Sequence, residues 1–154
     1  MRHRVSIVIS IVLTVLLFLF IVFLLYPLPR IVNAVLDVSD RIHDRAPFSE
    51  TYRAAILAIA YVEVAVAGVA VLLLFTMLMA ILHGEVFHKT VTRLLLAVSL
   101  CCFAEAALFL PLGASITVSF GVAAIALFIG VCLLVVRNVI AEAIRIKQEN
   151  DLTV

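Results

Sequence analysis

Residues 54–82 read AAILAIAYVEVAVAGVAVLLLFTMLMAIL, and Glu63 is the single charge among them. A helix of about 20 apolar residues crosses the hydrocarbon core of a bilayer. This run is longer, so its helix must tilt or protrude. The whole chain shares the character of this stretch. Of its 154 residues 66% are hydrophobic and 14% charged, and the mean hydropathy is +1.32. Soluble domains use apolar residues for nearer one half. A multi-pass membrane protein follows. The formal net charge of +1 gives no electrostatic footprint for direct nucleic-acid binding.

Towards the N-terminus, Pro47-Phe48-Ser49-Glu50 supplies a breaker, an N-cap candidate and an early acidic residue, so a helix should start near Glu50. Residues 27–53 form the longest polar segment. Ile31, Val35, Val38 and Ile42 recur there at helical spacing, opposite Asn33, Asp37, Asp40, Arg41 and Asp44. Two readings stand side by side: an amphipathic helix on the membrane surface, or a plain connecting loop. Pro27 and Pro29 should end the helix before them. That helix, about 5–26, carries no charge and follows the basic head Arg2-His3-Arg4. Its apolar core exceeds the h-region of a signal peptide, and no A-x-A-like site follows, so it reads as an uncleaved first span.

Towards the C-terminus, Gly84 marks the end of the second span and His83–Thr92 form a polar turn. A third span over 93–110 should stop at Pro111 and Gly113. The short uncharged link to a fourth span over 119–136 predicts an antiparallel hairpin. The tail, 137–154, combines dense charge with helical periodicity at Val136, Val139, Ile140, Ala143, Ile144 and Lys147. The expected fold is therefore an all-α membrane protein of one domain. It has four transmembrane helices in an antiparallel bundle and a C-terminal cytoplasmic helical extension. Lys and Arg favour the side holding both ends: Arg2, Arg4, Lys89, Arg93, Arg137, Arg145 and Lys147, against Arg30, Arg41, Arg45 and Arg53. That bias places both termini in the cytoplasm.

Two stretches resemble a known family. The ending Ala143-Ile144-Arg145-Ile146-Lys147-Gln148-Glu149-Asn150-Asp151-Leu152-Thr153-Val154 is similar to that of the YoaS-like bacterial membrane proteins, the family of unknown function 2975. The turn Gly84-Glu85-Val86-Phe87 before Arg93 resembles their Gly-x-x-Phe turn. Length and four-span layout agree along nearly the whole chain, although span two departs in carrying Glu63 and many alanines. The resemblance implies a bacterial inner-membrane protein without established activity. It also implies a cytosolic helix-turn-helix regulator as partner, since such a regulator is commonly encoded beside members of the family.

Glu63 and Glu105 are the sharpest chemical feature. A carboxylate at mid-membrane costs about 2.5–3.5 kcal/mol on insertion scales. Counted from the outer ends of their spans, they lie about 13 Å and about 8 Å deep, near enough in level to face each other. They could share a proton, or meet an arginine of the outer segment. A proton or cation site is one reading, and a hydrogen-bonded pair that fixes packing is the other.

The tail divides similarly. A solvated, charge-balanced overshoot needs no partner, whereas a docking helix would present Ile144, Lys147, Glu149, Asn150, Asp151, Leu152, Thr153 and Val154 to the regulator. The cytoplasmic turn Gly84, Phe87 and Arg93 would lie on the same side.

Cys101, Cys102 and Cys132 lie in apolar runs and read as packing residues. Ala126 and Gly130 offer a weak close-approach face. His83, Glu85 and His88 lack the order of a zinc-protease motif, and no phosphate loop or nucleophile motif occurs. Neither an enzyme, a cofactor nor a metal is expected. The leading reading is thus a membrane partner of a regulator docked through the tail. A small transporter or proton- or ion-linked protein built on Glu63 and Glu105 is the rival, and an oligomerising membrane scaffold is the third.

Overall fold

The computed structural model describes residues 2–43, 48–83, 89–113 and 116–151. All the elements within them are helices: α1 (Arg2–Leu24), α2 (Leu28–Ile42), α3 (Glu50–Leu82), α4 (Lys89–Leu112) and α5 (Val118–Asp151). Four of the five, all but α2, are long and apolar enough to cross a membrane.

Local chemistry sets the boundaries. The Ser49 side chain accepts a hydrogen bond from the Tyr52 N–H at 3.3 Å, capping α3 where the sequence predicts its start. α1 stops at Leu24, two residues before the expected Tyr26, and tightens through the Leu25 N–H to Val22 and the Tyr26 N–H to Phe23. Pro29 then sits in the first turn of α2, where its missing N–H would be unpaired in any case. Pro111 does not stop the third span. It lies inside the last turn of α4, and the Gly113 N–H closes the helix onto the Phe109 and Leu110 carbonyls. The single lost backbone bond is a local cost, offset because continuing the helix buries Leu112. α5 runs through the fourth span and the tail as one helix of 34 residues.

Packing follows a row: α1 against α3, α3 against α4, and α4 against α5, with α2 on the N-terminal end of α3. Thr14 and Phe18 share a groove with Val71 and Phe75. Val62 and Val69 share one with Ala104 and Leu100. Ser99, fully buried, donates to the Gly130 carbonyl at 3.0 Å, and Lys89 meets Gln148 across a small cavity. α1 leaves Val12, Leu13, Leu16 and Leu17 exposed, as lipid-facing residues would be.

A buried apolar cluster lies at the N-terminal end of α3, where Leu36 of α2 is buried with Ile56 and Leu112, surrounded by Val32, Tyr52 and Phe109. Of the two readings for residues 27–53, a helix is present over Leu28–Ile42. Its two apolar stripes divide the work. Leu28, Leu36 and half-buried Val32 face the protein, while Ile31, Val35, Val38 and Ile42 face away from it.

Candidate functional site

One cavity holds both intramembrane carboxylates. It measures about 290 Å³ and fills the angle on α3 between its two flanking helices. α1 contributes Phe20, Ile21 and Leu24; α3 contributes Ala60, Glu63, Val64 and Ala67; α4 contributes Glu105 and Phe109. Leu28, the first residue of α2, completes the lining. Three-and-four spacing along α3 explains why Ala60, Glu63, Val64 and Ala67 share one face. Four residues separate Glu105 from Phe109, which puts them on one face of α4 too.

Glu63 and Glu105 are both half-buried and line the same cavity. An oxygen of each, Oε1 in both cases, is buried without a hydrogen-bond partner. Among the described residues no hydroxyl, amide or basic side chain lines the cavity. Two carboxyl groups therefore face an apolar space with no partner for either Oε1 among those residues, an arrangement that costs free energy unless a proton or a cation joins it.

Of the arginines in residues 27–53, Arg53 is committed elsewhere and Arg45 lies outside the described residues. Arg53, in the first turn of α3, contacts Asp37 Oδ1 at 2.7 Å and Asp40 Oδ2 at 3.3 Å. Its Nε also donates to the Phe48 carbonyl at 3.4 Å, and the Phe48 N–H donates to Asp40 Oδ2 at 3.4 Å. The Phe48 ring stacks on Tyr52 with centroids 4.7 Å apart. This clasp holds α2 down on α3 and hence Leu28 over the cavity. Sequence reasoning placed Asp37, Asp40 and Arg53 on the outer side without pairing them. The available signal was the three-residue spacing of Asp37 and Asp40, which puts both carboxylates on one helix face.

The C-terminal end of α5 differs from the docking expectation in one respect. Ile144 is only 6% exposed and lines a small cavity with Lys89 and Thr92 of α4. It packs within the chain and offers no free anchor. Lys147, Glu149 and Asn150 lie exposed on the last turns of α5, while Arg145 pairs with Glu142 at 2.6 Å and lies 4.0 Å from Glu149. Asp151 ends the helix, and Leu152, Thr153 and Val154 fall outside the described residues.

Arg93 is exposed near the start of α4, whereas Gly84 and Phe87 of the turn lie outside the described residues. So do Glu85 and His88, and His83 Nδ1 bonds the Met79 carbonyl at 2.7 Å.

A family model with the description "Protein of unknown function (DUF2975)" matches residues 37–154, from within α2 to the end of the chain. No curated protein and no solved structure matches.

Proposed function

The chain belongs to the DUF2975 family of proteins of unknown function, and on that premise we propose that it is a small cation- or proton-binding membrane protein. Its site is the cavity of Glu63 and Glu105. The observation that supports this reading is two carboxyl groups from adjacent helices lining one apolar cavity, each with a buried, unpartnered oxygen. It sits in a bacterial inner membrane as an antiparallel bundle, with both termini and the tail in the cytoplasm. It acts by binding or passing its ligand and carries out no enzymatic reaction.

The test is proton movement in proteoliposomes holding a pH-sensitive dye. The intact chain should dissipate an imposed pH gradient faster than the Glu63→Gln, Glu105→Gln double variant, which keeps its hydrogen-bonding ability without the charge. Equal rates for two equally well-folded proteins would reject the reading.

A second reading has its own support. α5 is about 51 Å long at 1.5 Å per residue, against a hydrocarbon core of about 30 Å. A helical arm of roughly 20 Å therefore continues past the membrane, with Val139 and Ile146 exposed on it. Such an arm suits docking of a cytosolic helix-turn-helix regulator. Because Ile144 is packed inside, the informative change is Ile146→Asp. Together with deletion of residues 148–154, it should abolish co-purification of a co-expressed helix-turn-helix regulator, and unchanged recovery would remove this reading.

A further inference from the structure

The ligand class of the carboxylate cavity can be narrowed from its lining; the argument rests on the reading of that cavity as a cation site. Hard inorganic cations need a shell of several oxygens to replace their water. Apart from Glu63 and Glu105 the lining is hydrocarbon and aromatic: Phe20, Leu24, Val64 and Phe109 among others. An organic ammonium carries its own hydrocarbon shell, and it gains from aromatic faces as well as from carboxylates. The volume, about 290 Å³, lies at the lower end of ligand pockets and has room for an amine with one ring.

Access points the same way. α1 and α4 pack on different flanks of α3 and share no extensive contact with each other. Phe20, at the cavity on the α1 side, is 57% exposed. The cavity thus borders the lipid, while Leu28 and the Arg53 clasp close its outer end. Among the described residues no other charged group lines it: α1 carries none past Arg4, α3 none between Ala54 and Leu82 besides Glu63, and α4 none past Arg93 besides Glu105.

We propose that this cavity binds a membrane-partitioning organic cation, an amine or quaternary ammonium bearing an apolar group, which enters sideways from the lipid between α1 and α4.

The experiment measures binding of benzyltrimethylammonium to the full chain in lipid nanodiscs, with empty nanodiscs as the partition control. Neopentylbenzene, its uncharged carbon isostere, is the matched competitor. The expected result is saturable binding of the cation, at least 10-fold weaker competition by the isostere, and at least 10-fold loss in the Glu63→Gln, Glu105→Gln variant. A bulky change on the α1 rim, Phe20→Trp, should slow entry while leaving the glutamates in place. Equal competition by cation and isostere would reduce the site to an apolar groove and overturn the proposal. Absence of saturable binding in a protein whose proton movement still depends on the two glutamates would overturn the organic-cation assignment alone. Absence of both would overturn the site itself.

Discussion

At the residue scale, Gly130 shows how little separates close packing from a clash. A Cβ built there would stand 2.8 Å from Phe103 Cε1, and the Gly130 carbonyl accepts from buried Ser99 across the same contact. Ala126 and Gly130 are readable from the sequence as a small-residue face. What they pack against is not readable, because periodicity cannot tell an intrachain neighbour from a second copy. In the structure Gly130 of α5 packs against Phe103 and Ser99 of α4. Gly130→Val should therefore push α4 and α5 apart and destabilise the protein by about 1–3 kcal/mol, the usual cost of overpacking. Ser99→Ala should cost only about 0.6 kcal/mol, typical of an interhelical hydroxyl bond in a membrane. Gly68 and Gly121 have open space where a Cβ would go, so Gly68→Ala and Gly121→Ala should leave the melting temperature unchanged or raised. Thermal unfolding in detergent compares all four, and a Gly130→Val protein as stable as Gly68→Ala would contradict the assignment.

At the element scale, the four spans were legible because apolar runs of this length have no other stable home. α2 was legible only in part. Its apolar residues form two stripes, so the spacing of Ile31, Val35, Val38 and Ile42 announces a helix without revealing that Val32 and Leu36 face the protein. The decision falls to Arg53, sixteen positions beyond Asp37, and no local pattern predicts that pairing. Ile144 illustrates the same limit at the other end: its periodicity was visible, its cover on α4 was not. The clasp makes a graded prediction. Arg53→Ala should free α2 and raise maleimide labelling of a Leu36→Cys reporter severalfold. Asp40→Asn should approach that effect, because the Asp40 side chain is 10% exposed and holds both Arg53 and Phe48. Asp37→Asn should do less, since that side chain is 55% exposed and exposed pairs contribute little. Equal, low labelling in all three variants would show that Leu36, Ile56 and Leu112 hold α2 without help.

At the scale of the whole molecule, the row of helices has two unlike ends, and orientation decides what each one meets. The outer end as proposed holds α2, the Arg53 clasp and the Leu28 cover of the cavity. The inner end holds the start of α4 and the projecting arm of α5. Lys and Arg number seven on the inner side and four on the outer, and positive residues near span ends resist translocation. The four outer arginines also share their segment with Asp37, Asp40, Asp44 and Glu50, although acidic residues weigh little in that rule. Two exposed positions give a direct test: Val38 on α2 and Ile146 on α5, 54% and 50% exposed. After Cys101, Cys102 and Cys132 are replaced by Ala, an impermeant maleimide should label Val38→Cys in intact cells. Ile146→Cys should react only once the membrane is opened. The converse pattern would invert the molecule, turning the cavity's covered end towards the cytoplasm and the α5 arm away from any cytosolic regulator. Labelling of both positions in intact cells would be equally decisive, because an even number of crossings between α2 and α5 would leave the three-span path from α3 to α5 impossible.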